Sequence, residues 1–367
     1  MLFAINPRTP KPKVMKCLNE VFVYFFKKAV NGRKFERALD GKLGQACLAN
    51  DATKEKFQIV WSLLQELTKK DRKAIYDFII EKQPQFNSLL RDTRLAPPCL
   101  SLVCNSTDLL GAIKALGEHL YYRTTTLQAI INASGETLLE HYQKYTAFNT
   151  NMCKACGTQK LSHELADTAD DQQWRADYDH ILVRSKYPIY SVHPDNFMPL
   201  CNICNQKAKS SKDILIDDNS RRTASFNPYD NDVCESYIEI SLIESSESIL
   251  PVINIKCSSS LPEIQDKYNN WNQTYRVPER VIGEKGDYLT SIENEILEKD
   301  LESFKVDIHQ RAQENKKKQY SREWWFWDER LFKWIVDNQQ EEIIWEMLQQ
   351  RLASANENNG LYEEFEI

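Results

Sequence analysis

Apolar residues recur along this chain with two different periods. Phe57, Val60, Trp61, Leu64 and Leu67 fall at i, i+3, i+4, i+7 and i+10, and Ile75, Phe78 and Ile79 repeat the spacing one helix later. Such a stripe lies on one face of an α-helix. This pattern predicts a run of helices over residues 14–147, with Asp51 or Thr53 capping the helix that carries Phe57. Pro97 and Pro98 break the run, and further helices are expected over 108–122 and 136–148. The character changes after Asn151. Residues 174–182 and 196–200 read as strands joined by a loop with turn residues at Pro188 and Pro194, and 202–213 reads as a helix. Residues 234–243 alternate like a half-buried strand, 249–257 supplies a second, and the two predict a hairpin. Helical spacing returns from Leu261, with one long helix expected from residue 288 to about 318. The expected fold is mainly α with a small α+β core. It divides into a helical part (1–147), a central part (148–257) and a second helical part (258–367).

The central part carries the chemistry. Cys153 and Cys156 form one C-x-x-C pair and Cys201 and Cys204 another, with 44 residues between them. Each pair can bite a metal from one tight turn, and four thiolates close a tetrahedral structural zinc shell with no position left for substrate. His163 is an alternative ligand only if a thiol is missing. Asp179, His180 and Asn196 lie between the pairs, and Asn205 directly follows the second.

At these residues the chain resembles the HNH, or ββα-metal, nuclease family, in the zinc-framed subgroup found in bacterial anti-phage systems. The resemblance covers 151–213 and rests on Asp179-His180, Asn196 and Asn205 in that order, within Tyr187-Pro188, Asn196-Phe-Met-Pro199 and Cys204-Asn205. It departs from the family at Val183, where a Pro is common, and at Ala208, where a Lys is usual and Lys207 and Lys209 stand on either side. The resemblance implies a strand, loop, strand and helix order. It also implies a metal-dependent endonuclease that hydrolyses phosphodiester bonds, in DNA before RNA, and leaves a 5'-phosphate. Asp179 and Asn205 would hold one divalent ion, Mg²⁺ or Mn²⁺, through oxygen atoms. His180 would be the general base, since an unperturbed imidazole is mostly neutral at pH 7. Asn196 would fix the loop that aims it. Lys207, Lys209 and Lys212 would touch the phosphates flanking the cut. An RNase acting on structured RNA, and a zinc-ribbon binding module without catalysis, are the alternatives.

Composition narrows the setting. With 367 residues and 42% apolar content the chain can build real cores. Its longest apolar run, Val21 to Phe26, is too short to cross a bilayer and no signal peptide is evident, so a cytoplasmic protein without a membrane partner is expected. The six cysteines outside the two pairs sit singly in apolar contexts, as reduced thiols do. A net charge of -6 argues against indiscriminate coating of nucleic acid, but residues 1–50 hold ten basic residues against three acidic, while the chain from Glu341 on holds seven Glu against Arg351. That asymmetry and the small size of the central part suggest control by an ATPase or sensor partner or by self-association. Trp324, Trp325, Phe326 and Trp327, after Lys316 to Lys318, could stack nucleobases, but adjacent aromatics on a helix point several ways and are more often core. His119, His141 and His309 read as structural residues on helices, and His193 as an exposed loop residue.

Overall fold

A computed structural model describes residues 1–32, 34–165, 168, 172–246, 248–296 and 300–363, and side chains as far as Ser354 apart from those of residues 245, 248, 249, 294 and 295. Eight helices come first: α1 (Lys13–Asn31), α2 (Gly41–Ala49), α3 (Asp51–Glu66), α4 (Lys69–Lys82), α5 (Phe86–Arg91), α6 (Thr107–Tyr122), α7 (Gln128–Ser134) and α8 (Leu138–Asn149). The predicted stripe is the buried face of α3, where Phe57, Val60, Trp61 and Leu64 meet α1 through Phe25, whose ring centroid lies 4.9 Å from that of Phe57. The cap of α3 is neither residue predicted. Asn50 takes the role and accepts from the Thr53 amide, because the extended backbone a cap requires falls one residue before Asp51. Helix α8 opens on a capping box between Thr137 and Glu140.

The central part is smaller and less regular than the alternation suggests. Strands β1 (Tyr178–His180) and β2 (Phe197–Pro199) pair antiparallel, with His180 opposite Phe197 and Tyr178 opposite Pro199. Each is three residues long, shorter than expected, because the 3₁₀ turn Pro194–Asn196 runs directly into Phe197 and the chain bends away after His180. The helix expected over 202–213 is a single π-helical stretch, Ile203–Lys209, that stops at Ser210 in a positive-φ conformation. Strands β3 (Ile238–Ser245) and β4 (Ser248–Cys257) form the predicted hairpin, with Ile240 opposite Ile255 and Leu242 opposite Ile253.

The last part comprises α9 (Pro262–Tyr275), α10 (Val277–Lys285), α11 (Tyr288–Glu295), α12 (Leu301–Arg311), α13 (Lys316–Gln319), α14 (Trp325–Asp337) and α15 (Glu341–Glu363). The single long helix predicted from residue 288 is three short ones. Asp287, Asp300 and Asn315 each cap a new start, accepting from Thr290, Ser303 and Lys318 amides, and such side chains favour a cap over a helix interior. Trp325, Phe326 and Trp327 are buried, so this cluster is core. The structure is therefore mainly helical, with two small antiparallel sheets and a cysteine cluster between helical stretches. No helix among the described residues is long and apolar enough to cross a membrane.

Candidate metal centre and adjoining polar cavity

The two C-x-x-C pairs meet. The sulphurs of Cys153, Cys156, Cys201 and Cys204 all lie within 4.8 Å of one another, and those of Cys156 and Cys201 are 4.0 Å apart. Zinc bound tetrahedrally at about 2.3 Å per thiolate needs sulphurs about 3.8 Å apart, so the cluster suits a structural zinc. All four cysteines are buried, and donors converge on them: the Thr158 amide and hydroxyl on Cys156 Sγ (3.4 and 3.2 Å), the Cys201 amide on Cys153 Sγ (3.5 Å) and the Arg280 guanidinium on Cys204 Sγ (3.3 Å). Donors of this kind offset negative charge on metal-bound sulphur.

The first turn of the cluster is also a packing hub. Gly157 has φ +66°, and a Cβ there would come within 2.9 Å of side-chain carbons of Leu2 and Phe3, so this position requires glycine on both counts. The Leu2 and Phe3 amides donate to the Lys154 carbonyl at 3.0 Å. From the far end of the chain, the Trp271 indole donates to the Ala155 carbonyl and the Trp327 indole to that of Cys156, each at 2.9 Å. Segments remote in sequence thus close around one turn.

Beside this cluster, β1, β2 and the π-helix present the remaining predicted residues to a cavity of about 270 Å³. Asp179, His180 and Asn205 line it together; Asn196 lies behind it. Asn196 is fully buried and uses its whole amide on the loop between the strands. Its Oδ1 accepts from the Leu182 amide (2.6 Å), and its Nδ2 donates to the Leu182 and Tyr190 carbonyls, both at 3.0 Å. The loop so held brings the Ser191 carbonyl to 3.1 Å from His180 Nε2. A carbonyl only accepts, so Nε2 carries the proton and Nδ1 keeps the lone pair. Burial, with the Arg184 charge adding to it and the Ser191 carbonyl opposing, lowers the His180 pKa to about 3. The ring is neutral at ordinary pH.

Asp179 is buried with its two oxygens in different situations. Oδ1 accepts from Lys209 Nζ at 2.8 Å, whereas Oδ2 is buried with no hydrogen-bond partner among the described residues. A carboxylate oxygen kept from water and left unpaired, beside an amide side chain that lines the same cavity, is a donor set that fits a hard divalent cation. Lys207 and Lys212 are exposed, and Lys212 donates to the Gln273 carbonyl. Lys209 is not exposed. Its side chain is 1% accessible and turns inward, donating also to the His180 carbonyl at 2.7 Å, so it serves the carboxylate of the cavity rather than its surface.

The other histidines divide. His163 is exposed and apart from the sulphur cluster; His141 bridges the Tyr178 hydroxyl (2.6 Å) and the Pro10 carbonyl (2.8 Å), and His119 contacts the Thr53 hydroxyl at 2.9 Å. His193 corrects the expectation of an exposed loop residue: it is buried, stacked on Phe86 with centroids 5.4 Å apart. Four residues of the cavity wall had no motif to announce them. Arg184 stands four residues after His180, and Glu118, Tyr121 and Tyr122 come from the C-terminal end of α6. The adjacent tyrosines at the end of a predicted helix were the only trace of that wall. No family model, no curated protein and no solved structure matches this chain.

Proposed function

We propose that the chain is a metal-dependent endonuclease of the ββα-metal kind, hydrolysing phosphodiester bonds of nucleic acid and of DNA before RNA, with the four-cysteine cluster as its structural zinc site. The observation that carries this reading is the state of His180. With Nε2 committed to the Ser191 carbonyl, Nδ1 keeps the lone pair of a ring that lines the same cavity as Asp179 and Asn205.

Hydrolysis needs a base on a water and relief of charge on the phosphate. His180 Nδ1 takes the proton of the attacking water. Asn196 acts at a distance, since the loop it holds supplies the carbonyl that fixes the imidazole tautomer. Asp179 and Asn205 would hold a Mg²⁺ or Mn²⁺ ion, which when bound would neutralise charge building on the phosphate oxygens. Lys209 leaves Asp179 Oδ2 for that ion by occupying Oδ1. Lys207 and Lys212, exposed on and just after the π-helix, suit the flanking phosphates.

The test is incubation of purified protein with supercoiled plasmid and, separately, structured RNA, with and without Mg²⁺ or Mn²⁺, beside His180→Ala and Asn205→Ala. Metal-dependent cutting of DNA, lost in both variants and leaving a 5'-phosphate, is expected. Cutting that survives His180→Ala would overturn the assignment. A wild-type protein that binds but never cuts would point to the zinc-ribbon module instead.

A further inference from the structure

Helix α6 reaches into the cavity, and the hydrolytic chemistry above gives it no task. Arg184 joins the two. Its Nη2 donates to the Tyr122 hydroxyl at 2.6 Å, and its guanidinium carbon lies 4.6 Å from the centre of the Tyr122 ring and 5.7 Å from that of Tyr121. Its Nη1 lies 3.4 Å from His180 Nδ1. Its Nε is 4.0 Å from Glu118 Oε1 and buried without a hydrogen-bond partner among the described residues.

The contact with His180 has a definite sense. Nε2 of the ring donates to Ser191, so Nδ1 offers a lone pair, and a guanidinium, which keeps its protons in proteins, can only donate to it. That lone pair is the one a water must reach. Arginine on Nδ1 and a water activated by Nδ1 exclude each other.

We propose that Arg184 is a phosphodiester-binding residue parked on α6: a phosphate entering the cavity draws its guanidinium off His180 Nδ1, so the base is uncovered only when substrate is seated. Tyr122 and Glu118 set how firmly the arm is parked. The nuclease reading supplies the identity of the ligand; the parking geometry stands without it. Tyr122 makes the firmest contact with the arm, whereas its hold on His180 is weak: that contact is long, the ion pair to the 40% exposed Glu118 is at the limit of contact and Nε is unsatisfied. A phosphate offers the planar fork two charged acceptors at once, the geometry guanidinium groups bind best.

Apparent affinity for a ligand that needs the released arm falls with the fraction of molecules already released. Removing the Tyr122 hydroxyl while keeping its ring should therefore tighten phosphodiester binding. The loss of one hydrogen bond converts to about two- to tenfold. The experiment uses the full, zinc-loaded chain without added Mg²⁺, titrated with the dinucleoside phosphate dTpdT. Binding is read by calorimetry and by side-chain ¹⁵N signals of the six histidines, with His180 assigned by its loss in His180→Gln.

The His180 Nδ1 signal should move on titration in the wild type, and Tyr122→Phe should reach the same endpoint at about two- to tenfold lower concentration. Glu118→Gln should move in the same direction. Arg184→Ala should show the moved signal before any ligand is added and bind dTpdT more weakly, with zinc content confirming that it folds. Wild-type binding without movement of the signal, equal affinity in Tyr122→Phe, unweakened binding in Arg184→Ala or no binding to the wild type would each overturn the proposal. Plasmid cleavage with Mg²⁺ is scored separately. An active nuclease without these shifts disposes of the parked arm alone, whereas the shifts in a protein that never cuts dispose of the hydrolytic reading alone.

Discussion

Lys209 Nζ lies 2.8 Å from Asp179 Oδ1, and the two side chains are 1% and 4% accessible. A buried pair of this kind is weak evidence of added stability, but breaking it by removing one partner is costly because the other charge stays buried alone. Its consequence for the cavity is that Oδ1 is committed to Lys209 while Oδ2 stays without a hydrogen-bond partner among the described residues.

Lys209→Met should therefore destabilise the chain by about 3 to 5 kcal/mol in denaturant unfolding. Adding Asp179→Asn to it should restore most of the loss, because the uncompensated charge is gone. If Asp179 is a metal ligand, Mg²⁺ should raise the melting temperature of Lys209→Met more than that of the wild type. Equal responses would remove Asp179 from the metal site.

Asn196 makes three hydrogen bonds to backbone groups of one loop. Truncation to Ala leaves the Leu182 amide and carbonyl and the Tyr190 carbonyl without that partner, at about 1 to 3 kcal/mol for each group that stays unsatisfied. The loop that presents Ser191 to His180 should loosen while the sulphur cluster keeps its metal. Hydrogen exchange should thus quicken over residues 181–191 with zinc content unchanged; uniform loosening of the whole chain would count against a local role.

The cysteine cluster was easier to read in the sequence than the packing around it. Metal-binding cysteines come in short pairs because a tight turn sets their spacing, so Cys153, Cys156, Cys201 and Cys204 were legible at once and do meet. The β3–β4 hairpin was legible because Ile238, Ile240, Ile253 and Ile255 alternate into the core. The inward turn of Lys209 was not. Reading 202–213 as an α-helix left Lys207 and Lys209 on either side of Ala208, whereas the wider π turn carries Lys209 to Asp179. Long-range walls were equally hidden. Nothing local in residues 118–122 says that α6 closes over His180, because the contact spans about sixty positions and depends on how helices pack. His193 misled for the same reason: a His-Pro dipeptide reads as a surface turn until Phe86 and Tyr190 are packed around it.

Stripping the metal should undo more than the central part. The turn bearing Cys153 and Cys156 receives the Trp271 and Trp327 indoles and the Leu2 and Phe3 amides, and structural zinc contributes its binding free energy to folding. Zinc analysis should find one ion per chain. A strong chelator should release it with a red shift of tryptophan fluorescence, and Cys201→Ser should lower both zinc content and melting temperature. A chelated chain that keeps its fluorescence and cooperative melting would mean that the thiols hold no structural ion.

Acid should begin to weaken the fold above the range in which most carboxylates protonate. His193 is stacked on Phe86, meets Tyr190 edge-on, and accepts from the Asp195 amide at Nδ1. Burial lowers its pKa to about 4; the Asp195 carboxylate and a hydrogen bond with the Gln83 backbone pull the other way, and Lys11, itself paired with Asp195, adds to the lowering. An unfolded histidine titrates near 6.5, so between there and about 4 the unfolded chain binds the extra proton. The stability this group contributes is complete above about pH 6.5 and is lost as pH falls toward 4, a change of about 3 kcal/mol at most. His180, with its pKa lowered to about 3, and His141, also lowered by burial, act in the same direction. Denaturant unfolding from pH 7 to pH 4.5 should show the decline, and His193→Gln, which keeps an acceptor for the Asp195 amide but cannot titrate, should flatten it by the share of one histidine. Parallel profiles for the two proteins would mean that protonated His193 is accommodated in the folded chain, and that its burial between Phe86 and Tyr190 carries no proton linkage.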